Sequence, residues 1–336
     1  MTVLGIDVGG AALKASDGAQ YSRSMPFELW KRPQDLTAAL TELTAAAPAV
    51  GRVFATMTGE LADCFSTKAE GVAHICAALE QAFPEPTLQI YRTDGTIVST
   101  EEACDKPLAA AASNWHVLAR FAGRYAAQGA GLLIDIGSTT TDVVPLRDGI
   151  PCPSGWTDSE RMMCGELVYT GVERSPVCAI AGAVPYRGGQ CPTAQEFFAT
   201  AGDAYRILGD LPEDSECIAT ADGRPATKTF ARDRLARSIC SDRTLFDDDD
   251  ALAAAKAIAI AQQAKIGVAL HGLIRRLGSP PKAIVISGQG EFLARAVVQK
   301  LRSDASVVSL HEQLGPAASR VAPAFALAIL ARELNW

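Results

Sequence analysis

Twice in this sequence an apolar strand-like run ends in aspartate, a hydrophobic residue and a glycine turn, then resumes as a second apolar run. Residues 3–16 read VLGIDVGGAALKAS and residues 131–146 read GLLIDIGSTTTDVVPL, so Asp7 and Asp135 hold equivalent places. A chain of 336 residues exceeds what one hydrophobic core usually serves. Two copies of one strand–turn–strand device therefore predict duplicated α/β lobes with a cleft between them. The first lobe is expected over residues 1–129 and the second over 130–319, with a C-terminal apolar helix at about 320–336 packing back on the first. A third glycine turn, ISGQGEFL at 286–293, also follows an apolar strand and precedes a helical pattern.

Between these landmarks the periodicity is mixed. Helical spacing runs through PQDLTAALTELTAAA, KAEGVAHICAALEQAF, AQEFFATAGDAYRILG and DRLARSIC, and RVFATMT and LQIYR read as strands. Residues 107–127 read as one buried helix with Trp115, Leu118 and Phe121 in the core. Residues 151–172 and 176–193, rich in Pro and Gly, read as loops and short strands. A long helix is expected from Asp248 to about Leu277, its acidic start (Asp247 to Asp250) complementing the helix dipole.

The formal charge of −7 and a pI near 5.2 argue against broad binding of nucleic acid or anionic membrane, which need clustered Lys and Arg. No apolar run approaches the roughly 20 residues of a membrane span. Met1 leads directly into the first strand without the features of a secretory leader. Nine cysteines without a Cys-x-x-Cys pair suit a reduced thiol set, so a cytoplasmic protein is expected. The four histidines, His74, His116, His271 and His311, show no mutual spacing for metal ligation or a triad.

The glycine turns carry the chemistry. Without a Cβ in the way, backbone N–H groups at Gly9, Gly10, Gly137, Gly288 and Gly290 can approach phosphate oxygens, and Ser138, Thr139 and Thr140 can add hydroxyl donors. Carboxylates do not bind phosphate, but Asp7 and Asp135 can hold Mg²⁺ or its waters while the metal bridges phosphate oxygens. Lys14 can add a point charge. Any one such turn is explained by a tight hairpin; three in this order point to a phosphate-bearing ligand.

At these residues the chain resembles the superfamily of actin, hexokinase and heat-shock ATPases, the first two turns matching its phosphate motifs and the third its adenosine motif. Within it, MTGELADCFSTKAEGV at 57–72 and GELVYTGV at 165–172 resemble the hydantoinase A and oxoprolinase branch. The segment at 220–242, TADGRPATKTFARDRLARSICSD, is similar to compact members linked to tetrahydromethanopterin-dependent one-carbon metabolism and methanofuran biosynthesis. The resemblance implies the two-lobed actin-like (ribonuclease H-like) fold. It also implies a transferase joining an aminomethylfuran-methyl diphosphate to the phenol oxygen of γ-glutamyltyramine or a tyrosine-derived acceptor, with release of diphosphate.

Such a reaction needs a base for a phenol whose pKa is near 10. Asp63, Lys68, Asp158 and Glu166 lie in or beside the family-like strings, and Asp63 and Lys68 join Asp7 and Asp135 as catalytic candidates. Glu166 and Tyr169 could orient substrate or simply belong to a packed strand. Two other classes share the same motifs: an ATP-dependent kinase or hydantoinase/oxoprolinase-like amide hydrolase, and a non-catalytic protein that binds a phosphate ligand. Ala11 and Ala12 stand where many nucleotide-binding relatives carry hydroxyl residues, which disfavours ATP hydrolysis and leaves ATP binding open. The expected partners are small molecules bearing diphosphate and phenol groups, and a homodimer is the base-rate assembly.

Overall fold

Each aspartate-bearing repeat is a β-hairpin, and each hairpin seeds a sheet. A computed structural model describes residues 3–85, 87–301 and 304–336. In the first part of the chain β1 (Val3–Val8), β2 (Ala12–Ser16) and β3 (Ser22–Pro26) precede α1 (Leu36–Thr44) and β4 (Arg52–Met57). Then come α2 (Lys68–Ala82), β5 (Thr87–Tyr91), β6 (Ile97–Val98), α3 (Thr100–Asp105), α4 (Pro107–Ala110) and α5 (Asn114–Ala122). The sheet order is β3-β2-β1-β4-β5-β6, with β1 antiparallel to β2 and parallel to β4.

The second repeat forms β7 (Ala130–Ile136) and β8 (Thr141–Arg147), followed by β9 (Ile150–Pro151), α6 (Asp158–Cys164), β10 (Leu167–Val168) and α7 (Val177–Ile180). A small hairpin, β11 (Ala183–Tyr186) with β12 (Gly189–Pro192), leads to α8 (Ala201–Leu208), α9 (Lys228–Arg237) and α10 (Asp248–Leu277). The chain closes with β13 (Ala283–Ser287), α11 (Glu291–Lys300), β14 (Ser306–Ser309), α12 (Leu310–Leu314), α13 (Pro316–Arg320) and α14 (Ala322–Glu333). The second sheet runs β10-β8-β7-β13-β14. Its four-strand run β8-β7-β13-β14 repeats the order of β2-β1-β4-β5, with the hairpin antiparallel and the later pairs parallel. This is a duplicated α/β architecture.

All six residues of β1 are buried, because helices cover it as they cover parallel sheets generally. The covering helix is α14, which lies against β1 and α5. It comes so near that a Cβ on Gly5 would stand 2.1 Å from the Ala324 carbonyl oxygen.

Three local expectations are corrected. Residues 107–127 are not one helix: Ala111 is extended and Ala112 has φ 48°, separating α4 from α5. The break is tertiary in origin, for it brings the Ser113 N–H to the Met57 carbonyl (3.2 Å) and its hydroxyl to Thr56 (2.6 Å). Residues 151–172 contain α6, started by a Thr157–Glu160 capping box and ended by Gly165 in the left-handed region. Of residues 194–209, only 201–208 are helical.

The acidic cap of α10 is as expected, with Asp247 accepting from the Asp250 N–H. By length and composition, however, α10 is long and apolar enough to cross a membrane, which corrects the reading that no such run exists. Its buried residues Ala251, Ala254, Ile258, Gln262, Ile266, Leu270, Leu273 and Leu277 recur every three or four positions, a single stripe facing the protein. It packs along this stripe on α8 and β11.

The Gly5 contact yields a direct test. Gly5→Ala should lower folding stability by about 1–3 kcal/mol, since backbone rather than a flexible side chain must move. Denaturant titration should show the loss; an unchanged midpoint would mean that α14 does not press on β1.

Candidate active site

The two repeated turns close in the same way. Gly9 N–H donates to the Ala12 carbonyl (3.1 Å) and Gly137 N–H to the Thr140 carbonyl (2.9 Å). Beyond them, the amides of Gly10, Ala11, Ser138, Thr139 and Thr140 donate no hydrogen bond among the described residues. A Cβ on Gly10 would meet nothing within 4 Å, so this turn faces open space. The result is two rows of free donors, with the Ser138 and Thr139 hydroxyls 3.4 Å apart beside the second.

The third turn behaves differently. Gly290 spends its N–H on the Ile136 carbonyl (2.8 Å), and Gly288, at φ +89°, leaves room for the Ile136 carbonyl and the Asp135 carboxylate where a Cβ would stand 2.3 and 2.7 Å away. Gly288 and Gly290 thus brace the second turn from behind.

Sheet register sets the charges. Asp7 faces Lys14 across the first hairpin, and their side chains pair at 3.0 Å. Asp7 is fully buried, and its second carboxylate oxygen, Oδ1, has no partner. Burial works to lower the pKa of Lys14, but the charge and hydrogen bond of Asp7 outweigh it, with Asp135 helping, so the pKa is raised. Asp135 faces Asp142 across the second hairpin and Ser287 on β13. Burial, with Asp142 adding, pushes the Asp135 carboxyl up to about 6.

Asp142 is in turn held by Arg161 at 2.7 Å. Arg161 is 1% exposed, donates to the Glu166 carbonyl (3.0 Å) and lies 4.0 Å over the Trp115 ring. Among the described residues no cluster of three or more His, Cys, Asp or Glu could hold a metal alone. The orphaned Oδ1 of Asp7, with Asp135 on the equivalent strand, fits a Mg²⁺ that takes its remaining ligands from phosphate and water.

A second charged group joins the two halves of the chain. Lys68, the first residue of α2, donates to Asp158 Oδ2 on α6 at 2.6 Å and lies 3.8 Å from Glu60 Oε1. Glu60 sits two residues beyond Thr58, whose N–H, like that of Gly59, donates to the Val8 carbonyl. Helix α2 presses on it so closely that a Cβ on Gly71 would stand 2.2 Å from the Glu60 carbonyl oxygen. Glu60 is 1% exposed, and its Oε2 has no partner. Burial pushes its carboxyl up to about 7, against the pull of Lys68.

The remaining acid candidates lie elsewhere. Glu166 is buried with its carboxylate spent on the Ser154 and Gly155 amides (2.7 and 3.4 Å), a loop-holding role. Asp63 is exposed on the turn before α2, and Tyr169 is 60% exposed.

Glu60 and Arg174 escaped the sequence reading. Glu60 had one signal, its place directly after Gly59 in the MTGEL string. Arg174 had none: its N–H donates to the Ser138 carbonyl (2.9 Å), and its guanidinium lies 4.8 Å over Trp30, next to Leu29, whose N–H donates to the Gly10 carbonyl (3.0 Å). This cation–π contact links the segments that flank the two turns.

The sequence model of the hydantoinase/oxoprolinase family matches residues 52–333. The (4-{4-[2-(gamma-L-glutamylamino)ethyl]phenoxymethyl}furan-2-yl)methanamine synthase of Methanocaldococcus jannaschii is 31% identical over 337 residues, covering 99% of this chain and 98% of that one. The synthase of the same name from Methanococcus vannielii is 31% identical over 213 residues, covering 61% of this chain and 92% of that one. Among solved structures, a chain of a PilM–PilN type IV pilus biogenesis complex superposes with a TM-score of 0.50 at 14% identity, covering 98% of both chains, a likeness of fold.

The wall behind Asp135 can be tested through stability. Arg161→Met leaves Asp142 buried beside Asp135 without its cation, and should cost about 3–5 kcal/mol. Adding Asp142→Asn should restore part of that loss in denaturant titrations; full additivity of the two changes would contradict the pairing.

Proposed function

The chain belongs to the hydantoinase/oxoprolinase family, and we propose that it is a transferase of methanofuran biosynthesis that joins an aminomethylfuran-methyl diphosphate to a phenol, releasing diphosphate. The observation that carries this reading is end-to-end similarity to a synthase whose name describes a phenoxymethylfuran, the aryl ether such a condensation forms. The phenol belongs to γ-glutamyltyramine, as in that name, or to a tyrosine-derived acceptor.

The site supports the chemistry. Free amides at Gly10, Ala11, Ser138, Thr139 and Thr140 can receive diphosphate oxygens, and Lys14 and Arg174 supply positive charge at either turn. Donors already in place where charge develops stabilise a departing anion without reorganisation. Mg²⁺ held by Asp7 and Asp135, when bound, would neutralise part of the diphosphate charge. The bond from the furan CH₂ to diphosphate oxygen breaks as the phenol oxygen bonds to the same carbon, and the electron-rich furan supports positive character there. Ala11 and Ala12 offer no hydroxyl toward a third phosphate, which suits a diphosphate in place of ATP.

Mass spectrometry of the purified protein with the furan diphosphate, Mg²⁺ and γ-glutamyltyramine should show ether and free diphosphate without ATP. Asp7→Asn and Asp135→Asn should each slow turnover by about 100-fold or more, the scale of losing one charge-stabilising group. Arg174→Ala should raise KM for the furan diphosphate by about tenfold, a charged hydrogen bond's worth, with less effect on kcat. ADP formed from ATP, with no ether under any condition, would overturn the reading in favour of an ATP-dependent kinase or amide hydrolase.

A further inference from the structure

Glu60 is unusual for a buried acid. A carboxylate kept only to anchor Lys68 would meet it closely and have both oxygens satisfied, as buried polar atoms generally are. Here the nearest approach is 3.8 Å and Oε2 is unpartnered. The lysine is held more firmly from the other side, by Asp158 at 2.6 Å. Lys68 is also the more accessible of the two, its side chain 20% exposed against 1% for Glu60. The Lys68 side chain thus presents surface to a ligand, and Glu60 lies behind it.

We propose that Lys68 takes the proton of the acceptor phenol, and that Glu60 makes this possible by first accepting a proton from Lys68. The proposal rests on the transferase reading above and names the base that reading requires. The exchange balances. As Lys68 Nζ closes the 3.8 Å gap to hydrogen-bond distance, a proton passes from it to the Glu60 carboxylate, and the freed nitrogen lone pair takes the phenolic proton as the O–H bond breaks. The phenolate oxygen then bonds to the furan CH₂ as the carbon–oxygen bond to diphosphate breaks. Glu60 ends protonated and Lys68 again carries its charge, and the extra proton leaves to solvent after turnover.

A phenol with a pKa near 10 is mostly protonated at neutral pH, so its attack on the furan carbon needs a base. The groups facing Glu60 are Lys68 of α2 and Asp158 of α6, with backbone from Gly71 and Ala112; Asp63, on the same loop, is exposed. Burial and Asp158 raise its proton affinity while Lys68 and the backbone amides of Glu60 and Ala112 lower it, and the balance near 7 lets it accept a proton at neutral pH. Lys68 is the catalytic residue in this account and Glu60 a positioning residue acting through it.

The test compares γ-glutamyltyramine with ring-fluorinated analogues whose phenols are already ionised at the assay pH. The wild-type enzyme should show kcat/KM for γ-glutamyltyramine rising with pH through about 7, because Glu60 must be deprotonated to accept. Glu60→Gln should lose that inflection and fall about 100-fold with γ-glutamyltyramine, the scale of general-base catalysis, yet stay within a few-fold of wild type with the ionised analogue. Lys68→Arg, which keeps the charge but cannot yield a proton, should behave alike. Unchanged calorimetric binding of Mg²⁺–diphosphate would show both variants folded with their turns intact. Equal losses with every acceptor, or an inflection near 7 that survives in Glu60→Gln, would overturn the proposal. A wild-type enzyme that makes no ether at all would sink the transferase reading and this inference with it, a result plainly different from either.

Discussion

The hairpin register that sets Asp7 against Lys14 and Asp135 against Asp142 is the constraint around which the molecule is arranged. Each aspartate sits near the end of a strand at the middle of a sheet, where its backbone is fixed by neighbours on both sides. A one-residue slip would turn each carboxylate to the opposite face. The costs of holding acids in such places are visible nearby. Arg161 is buried to serve Asp142, Trp115 is stacked against Arg161, and Gly288 lacks a side chain so that the third turn can brace Asp135.

The remaining functional groups depend on bringing the two sheets' loops together. Lys68 starts a helix of the first unit and Asp158 a helix of the second, so their ion pair exists only when both units are in place. Trp30 and Arg174 make a second such contact beside the turns.

Much of this was legible in the sequence because the informative signals were local and repeated. The strand–Asp–glycine device announces itself twice, and the acidic cap of α10 and the apolar pattern of α14 are written in consecutive residues. The sequence pointed to backbone donors at Gly9, Gly10 and Gly137 and hydroxyls at Ser138, Thr139 and Thr140; Gly9 and Gly137 instead spend their amides closing the turns, and the free amides are those of the residues that follow. Gly288 and Gly290, expected as phosphate-facing donors, lie against the Ile136 carbonyl and serve packing, which only the position of that carbonyl reveals. The break at Ala111–Ser113 carries no glycine or proline, and follows from a hydrogen bond to Met57 far along the chain. Glu60 and Arg174 gain their meaning from burial and from partners supplied by other elements, which spacing does not encode. Glu166 shows the converse: a conspicuous acid in a family-like string, yet one occupied with loop amides.

The most direct measurement is a crystal structure with Mg²⁺, γ-glutamyltyramine and a furan bisphosphonate in which CH₂ replaces both the P–O–P oxygen and the oxygen joining the furan methyl carbon to phosphorus, so that the bond broken in the reaction is inert. The account predicts bisphosphonate oxygens on the amides of Gly10, Ser138 and Thr139, the metal between Asp7 and Asp135, and the phenol oxygen within hydrogen-bond reach of Lys68 Nζ. A bisphosphonate bound away from the two turns, or a phenol oxygen remote from Lys68 while both ligands are in place, would contradict it.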